Sequence, residues 1–267
     1  MNKTKLAVFL LASIVIAALA APRADANDAA AVEYSGPAPQ AQLPKYVIDA
    51  VNSPDRPAAD RKLDQSRRPA QLMTFFRIQP GMRVADMWAG GGYTTELLAR
   101  IVGPKGRVYS QNAPFPEKFK EAEEAWKARL KEPAMGNVNE VTAAFDSPRM
   151  LPVAPGSLDA VLINLNYHDL VGRGYDRAKF NAAVFKALKP DGLYCTADNS
   201  AQAGTGARDA STLHRIAESY EIREIEAAGF RLAASSVILR NPRDDRTLPF
   251  WKMDRMQDRF VLRFVKP

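Results

Sequence analysis

The stretch from Pro80 to Ala99 constrains this chain more than any other. It reads Pro-Gly-Met-Arg-Val-Ala-Asp-Met-Trp-Ala-Gly-Gly-Gly-Tyr-Thr-Thr-Glu-Leu-Leu-Ala. An apolar run ends in an acid at Asp86, three glycines follow at Gly90, Gly91 and Gly92, and a helical pattern opens at Thr94. Strand, glycine turn and helix in that order begin a βαβ unit. The glycines let a ligand lie against bare backbone and let the turn take angles that side chains forbid. A dinucleotide fingerprint would put glycine or alanine three residues after Gly92, where Thr95 stands, so that reading is the weaker one.

The rest of the chain supports a doubly wound α/β fold. Short β-branched runs predict strands over 83–86, 107–111, 138–143, 159–164, 193–197, 232–239 and 259–265, the last two as a terminal hairpin. Helical periodicity predicts helices over 94–102, 117–131, 177–188 and 211–228. A further helix starts at Pro69, with Leu72, Phe75 and Phe76 on its apolar face. Residues 43–267 are one domain by this reading, and 43–80 form a helical cover over it.

With those elements in place, Val84-Ala85-Asp86 followed by Gly90-Gly91-Gly92-Tyr93 resembles the first motif of class I S-adenosylmethionine-dependent methyltransferases. Residues 158–164 resemble that superfamily's fourth strand, Leu188-Lys189-Pro190-Asp191-Gly192-Leu193 the approach to its fifth, and Glu226-Ala227-Ala228-Gly229-Phe230 the approach to its last hairpin. The likeness is greatest to predicted exported members. It implies a Rossmann-like, mostly parallel seven-stranded sheet with helices on both faces, and S-adenosylmethionine as cofactor.

Carried over residue by residue, the resemblance implies that Asp86 orders the methionine end of the cofactor, while Gly90 and Gly92 admit its ribose and carboxylate. It implies that Asp146 accepts a hydrogen bond from the adenine amine and that Asn164 and Leu165 line the methyl-donor side. Two positions depart from the pattern. Trp88 stands where glycine is usual, and Asn112 replaces the acid expected on the ribose hydroxyls, offering one neutral acceptor in place of a carboxylate.

Ligands of doubly wound sheets bind beyond the carboxyl ends of the strands, so the residues after strands four and five are the catalytic candidates. These are Tyr167, His168 and Asp198, with His168 as a general base for an acceptor hydroxyl or amine. Asp169 would orient His168 or cap a helix. His214, within the expected helix 211–228, reads as structural. Methyl transfer asks mainly for alignment and exclusion of water, because the sulfonium already activates the methyl group. The segment 27–80 and the insert around Pro249-Phe250-Trp251 are candidate covers over the acceptor.

The N-terminus sets the compartment. Lys3 and Lys5 precede an apolar run from Leu6 to Ala21, and small-x-small sites at Ala18-Leu19-Ala20 and Ala24-Asp25-Ala26 offer two cleavage points. Residues 1–26 read as a signal peptide and 27–42 as a flexible lead-in; an uncleaved anchor would leave the domain on the same, periplasmic side. Removing 1–26 takes away Lys3, Lys5, Arg23 and Asp25 and lowers the net charge from +7 to +5. Arg67-Arg68 reads as solvated surface with no aromatics interleaved, so no nucleic-acid partner is expected, and a membrane surface is not indicated. Cys195 is the only cysteine, which excludes an internal disulfide and suggests a buried core residue. No metal ligands are expected.

Two functions fit these observations. One is an exported methyltransferase acting on a small or envelope-associated acceptor. The other is an exported ligand-binding protein that keeps the fold without the transfer, which Trp88, Asn112 and export itself favour.

Overall fold

The computed structural model describes residues 33–35 and 43–267. The signal-peptide segment 1–26, and the lead-in 27–42 apart from 33–35, lie outside the described residues.

Eight strands form one sheet in the order β1-β7-β8-β6-β5-β2-β3-β4. They are β1 (Glu33–Ser35), β2 (Arg83–Met87), β3 (Arg107–Asn112), β4 (Val138–Thr142), β5 (Leu158–Asn164), β6 (Leu188–Asn199), β7 (Arg231–Ser236) and β8 (Arg259–Val265). Only β8 is antiparallel to its neighbours, β6 and β7. The seven expected strands are present in the doubly wound arrangement with a terminal hairpin. The addition is β1, a three-residue edge strand parallel to β7 in the segment read as flexible.

The described residues also form eight α-helices: α1 (Lys45–Val51), α2 (Ala58–Arg67), α3 (Pro69–Phe75), α4 (Tyr93–Val102), α5 (Lys120–Arg129), α6 (Tyr167–Gly172), α7 (Arg177–Ala187) and α8 (Glu218–Glu226). Side chains alternate across the sheet with the strand period of two. Val161, Ile163 and Tyr194 enter the core cluster that contains Tyr167, Phe180 and Ile225. Ala160, Leu162 and Cys195 enter the opposite cluster, with Val47, Leu72 and Leu98. Cys195 is a free, fully buried thiol as expected. None of the described helices is long and apolar enough to cross a membrane.

The helix expected over 211–228 is cut to Glu218–Glu226. The buried Arg215 guanidinium accounts for the difference. It donates to the Leu248 and Ser200 carbonyls at 2.7 and 2.9 Å and pairs with Asp244 at 2.9 Å. Satisfying a buried charge outweighs helix propensity, so the chain turns before α8 and His214 takes a left-handed φ of 51°. His214 is therefore on a loop, and that loop borders the carboxyl ends of the strands.

Candidate functional site

The turn after β2 is built to stay open on one side. Trp88 carries a φ of 60°, the conformation for which glycine is usual, and Gly90 and Gly92 have φ of 57° and 88°. Gly92 precedes α4 and faces inward: a Cβ there would stand 2.5 Å from the Trp126 ring. Gly90 faces outward, with nothing within 4 Å of such a Cβ. Two side chains hold the turn. Asn112, at the end of β3, accepts from Gly90 N at 2.9 Å through Oδ1 and donates to Gly90 O at 3.3 Å through Nδ2. Arg129, from α5, donates to Gly91 O at 2.9 Å and to Asp60 of α2 at 2.5 Å.

Above the turn lies a cavity of about 480 Å³, within the size range of small-molecule sites. The ends of β2, β5 and β6 floor it, and α2, α3 and the insert before β8 wall it. Asp86, Trp88, Gly90, Asn164 and Leu165 line it. Asp86 is 2% exposed; its Oδ2 accepts from the Thr95 hydroxyl at 2.6 Å. Burial pushes its carboxyl up to about 7, against the pull of the Thr95 bond. Both polar atoms of the Asn164 amide are buried without a partner. A buried amide left unpaired costs about 1–3 kcal/mol, and here it lines the space a ligand would fill. Leu165, at φ 63°, donates its N–H to Ala197 O at 2.7 Å, tying the end of β5 to β6.

The opposite wall is cationic. Arg67, Arg255 and Arg259 line the cavity. Arg67 stands 4.4 Å from the centroid of the Tyr93 ring and so is packed, where a solvated surface residue was expected. Arg259 is 4% exposed. It donates to Ser66 O at 2.7 Å, and its buried Nε has no partner. Burial, with Arg67 nearby, pulls its guanidinium down to about 10. Sequence shows Arg67 only as half of a basic pair and gives no sign of Arg259, because the fold brings the two together from α2 and β8.

Trp88 stacks on Phe145 at a centroid distance of 4.1 Å, with Tyr175 edge-on to both. Asp146, next to Phe145, accepts from Asp176 N at 3.4 Å and lies outside the cavity lining. The lining also omits Gly92, Asn112, Tyr167, His168 and Asp198. Tyr167 turns into the core between α7 and α8, bonded to Asn181 and Glu224 at 2.9 and 3.1 Å, which places it away from the cavity. His168 is 1% exposed, with Asp198 Oδ1 at 2.6 Å from Nδ1. Burial pulls the imidazole down, but the Asp198 carboxylate outweighs it and leaves the pKa raised. His214, brought to 3.2 Å from His168 Nε2, is lowered, chiefly by burial. Phe250 lines the cavity, whereas Trp251 packs edge-on to His214 and is 56% exposed.

The sequence model of the protein-L-isoaspartate(D-aspartate) O-methyltransferase family matches residues 50–143, from the end of α1 through β4. No curated protein matches the chain. Solved structures match across most of it. An S-adenosylmethionine-dependent methyltransferase from Aquifex aeolicus is 18% identical, covering 79% of this chain and 98% of its own, with a TM-score of 0.56. The geranyl diphosphate C-methyltransferase of Streptomyces coelicolor A3(2), solved with Mg²⁺, geranyl diphosphate and S-adenosyl-L-homocysteine, is 14% identical and covers 82% and 89%, at 0.56. The [4+2]-cyclase SpnF is 15% identical and covers 79% and 82%, also at 0.56. At these identities the likeness is one of fold.

Proposed function

We propose that this chain, which has the fold of the class I S-adenosylmethionine-dependent methyltransferase superfamily, transfers a methyl group to a small or envelope-associated acceptor outside the cytoplasm. One observation carries the reading. The buried Asp86 carboxyl and the unpartnered Asn164 amide lie at the ends of adjacent strands β2 and β5, both facing the one cavity beside the glycine turn. Buried polar groups without partners cost stability, and a polar cofactor with cationic and hydrogen-bonding groups satisfies them.

These residues fit S-adenosylmethionine. Asp86 and Asn164 would hold it, with Gly90 and Gly91 giving it bare backbone and Leu165 lining its donor side. The cofactor supplies a methyl group already activated by a sulfonium. The protein's part is alignment and exclusion of water: Leu72, Met73, Leu239 and Phe250 close the cavity with apolar surface. Arg67, Arg255 and Arg259 favour an acceptor with negative or strongly polar groups. The lysine-led apolar segment at the N-terminus supports export to the periplasm, with 1–26 as the signal peptide.

A second reading, a binding protein without transfer, is favoured by Asn112, whose amide is spent on the Gly90 peptide. Calorimetry of the chain with S-adenosylmethionine and S-adenosylhomocysteine, followed by a labelled-methyl screen of acceptors, separates the two. Micromolar binding of both ligands with label transfer supports the enzyme; no binding of either overturns it.

A further inference from the structure

The chain has two histidines, 46 residues apart. They meet beside the cavity, next to Phe250 and Trp251. His168 Nε2 lies 3.2 Å from His214 Nδ1. Asp169 closes a triangle with them: its Oδ1 is 3.3 Å from His214 Nδ1, and its Oδ2 is 3.7 Å from His168 Nε2. A tetrahedral ion with nitrogen and oxygen ligands at ordinary zinc distances holds neighbouring ligand atoms about 3.4 Å apart. The three donors already stand at that spacing.

The group behind His168 sets the tautomer such a site needs. His168 Nδ1 meets Asp198 Oδ1 at 2.6 Å, and His168 N donates to Asp198 Oδ2 at 2.8 Å. Asp198 also accepts from Asn199 N at 2.7 Å and is fully buried. With the ring's Nδ1 proton directed at this carboxylate, the lone pair sits on Nε2 and points at His214 and Asp169. A carboxylate behind a histidine is the arrangement that orients metal ligands and raises their basicity. The His214 side chain is 29% exposed, which gives an ion a path in. Arg173, 3.7 Å from Asp169 Oδ1, is the adjacent cation; its guanidinium lies over the Trp88 ring at 5.0 Å, and its side chain is 53% exposed.

The geometry points to a metal site: His168, Asp169 and His214 bind one divalent first-row transition ion of the zinc class, with Asp198 holding His168 in place. Two imidazoles and one carboxylate suit such an ion better than the oxygen-seeking Mg²⁺ or Ca²⁺. Three protein ligands leave the fourth tetrahedral position to water. The ion staples the segment after β5 to the loop after β6. Asn166, on the first of these, and Asn199, the last residue of β6, line the cavity, and Asn199 also donates to His214 O at 3.0 Å.

The test is metal binding by the untagged full chain after chelator treatment, with ZnCl₂ followed by calorimetry and CoCl₂ by visible absorption; neither readout depends on methyl transfer. One ion per chain, with the intense absorption of four-coordinate Co²⁺, is expected. His214→Ala and Asp169→Asn should each weaken binding at least tenfold, and Asp198→Asn about 10- to 100-fold with the stoichiometry kept. His214 is at the surface of a loop, so its replacement leaves the fold intact, which circular dichroism checks. Binding no tighter than millimolar, a weak six-coordinate Co²⁺ spectrum, or unchanged affinity in His214→Ala overturns the site.

Discussion

Asn112 grips both backbone polar groups of one residue, accepting from Gly90 N at 2.9 Å and donating to Gly90 O at 3.3 Å. This makes it a brace of the glycine turn. Asn112→Ala should lower stability by about 1–3 kcal/mol, read as a lower urea midpoint at unchanged slope. An unchanged midpoint would mean that Arg129 and the turn itself suffice.

Asp86 predicts a pH dependence. Its folded-state pKa is raised from 3.8 to about 7 by burial, so the folded chain holds a proton that the unfolded chain releases. Its contribution is fully present below about pH 4 and is lost as pH rises towards 7, with a slope of up to about 1.4 kcal/mol per unit. Urea unfolding at several pH values should show this fall, and Asp86→Asn should flatten it. A wild-type curve matched by the variant would remove Asp86 as the source.

Two glycines should separate folding from binding. Gly92→Ala drives a Cβ to 2.5 Å from the Trp126 ring at a φ of 88°, costing about 3 kcal/mol or more. Gly90→Ala meets no protein atom and costs about 1 kcal/mol of backbone strain, yet it places a methyl group where a ligand would approach. Thermal melts should rank Gly92→Ala the worse, and calorimetry with S-adenosylhomocysteine should show a clear loss for Gly90→Ala.

Trp88→Gly should relieve the left-handed strain at φ 60° and lose the stack on Phe145, for a net destabilisation of about 2 kcal/mol. If the indole crowds the cofactor, affinity for S-adenosylhomocysteine rises in this variant. Weaker binding would instead assign the indole to the ligand's own wall.

Local signals carried the fold and part of the cavity lining. Asp86, Gly90, Asn164 and Leu165 follow from strand ends and a glycine turn, features written within a few residues of one another. Arg67 and Arg259 come together only through tertiary packing, and no short window of sequence encodes that. The place of His214 is hidden for a related reason: helical periodicity over 211–228 is real, but the buried Arg215–Asp244 pair overrides it and leaves His214 on a loop beside His168. Tyr167 points the other way because in α6 it and His168 lie on different faces, one turned to the core and the other to Asp198.

Arg129 touches both the glycine turn and Asp60 of α2, and so makes the cover and the turn thermodynamically dependent on each other. Coupling between two equilibria is reciprocal. Whatever a ligand on the turn contributes to holding α2 closed, a closed α2 returns as affinity for that ligand. Part of the affinity for such a ligand would thus reside in a helix about thirty residues upstream of the turn, and cutting the Arg129–Asp60 link would loosen the cover and the ligand together.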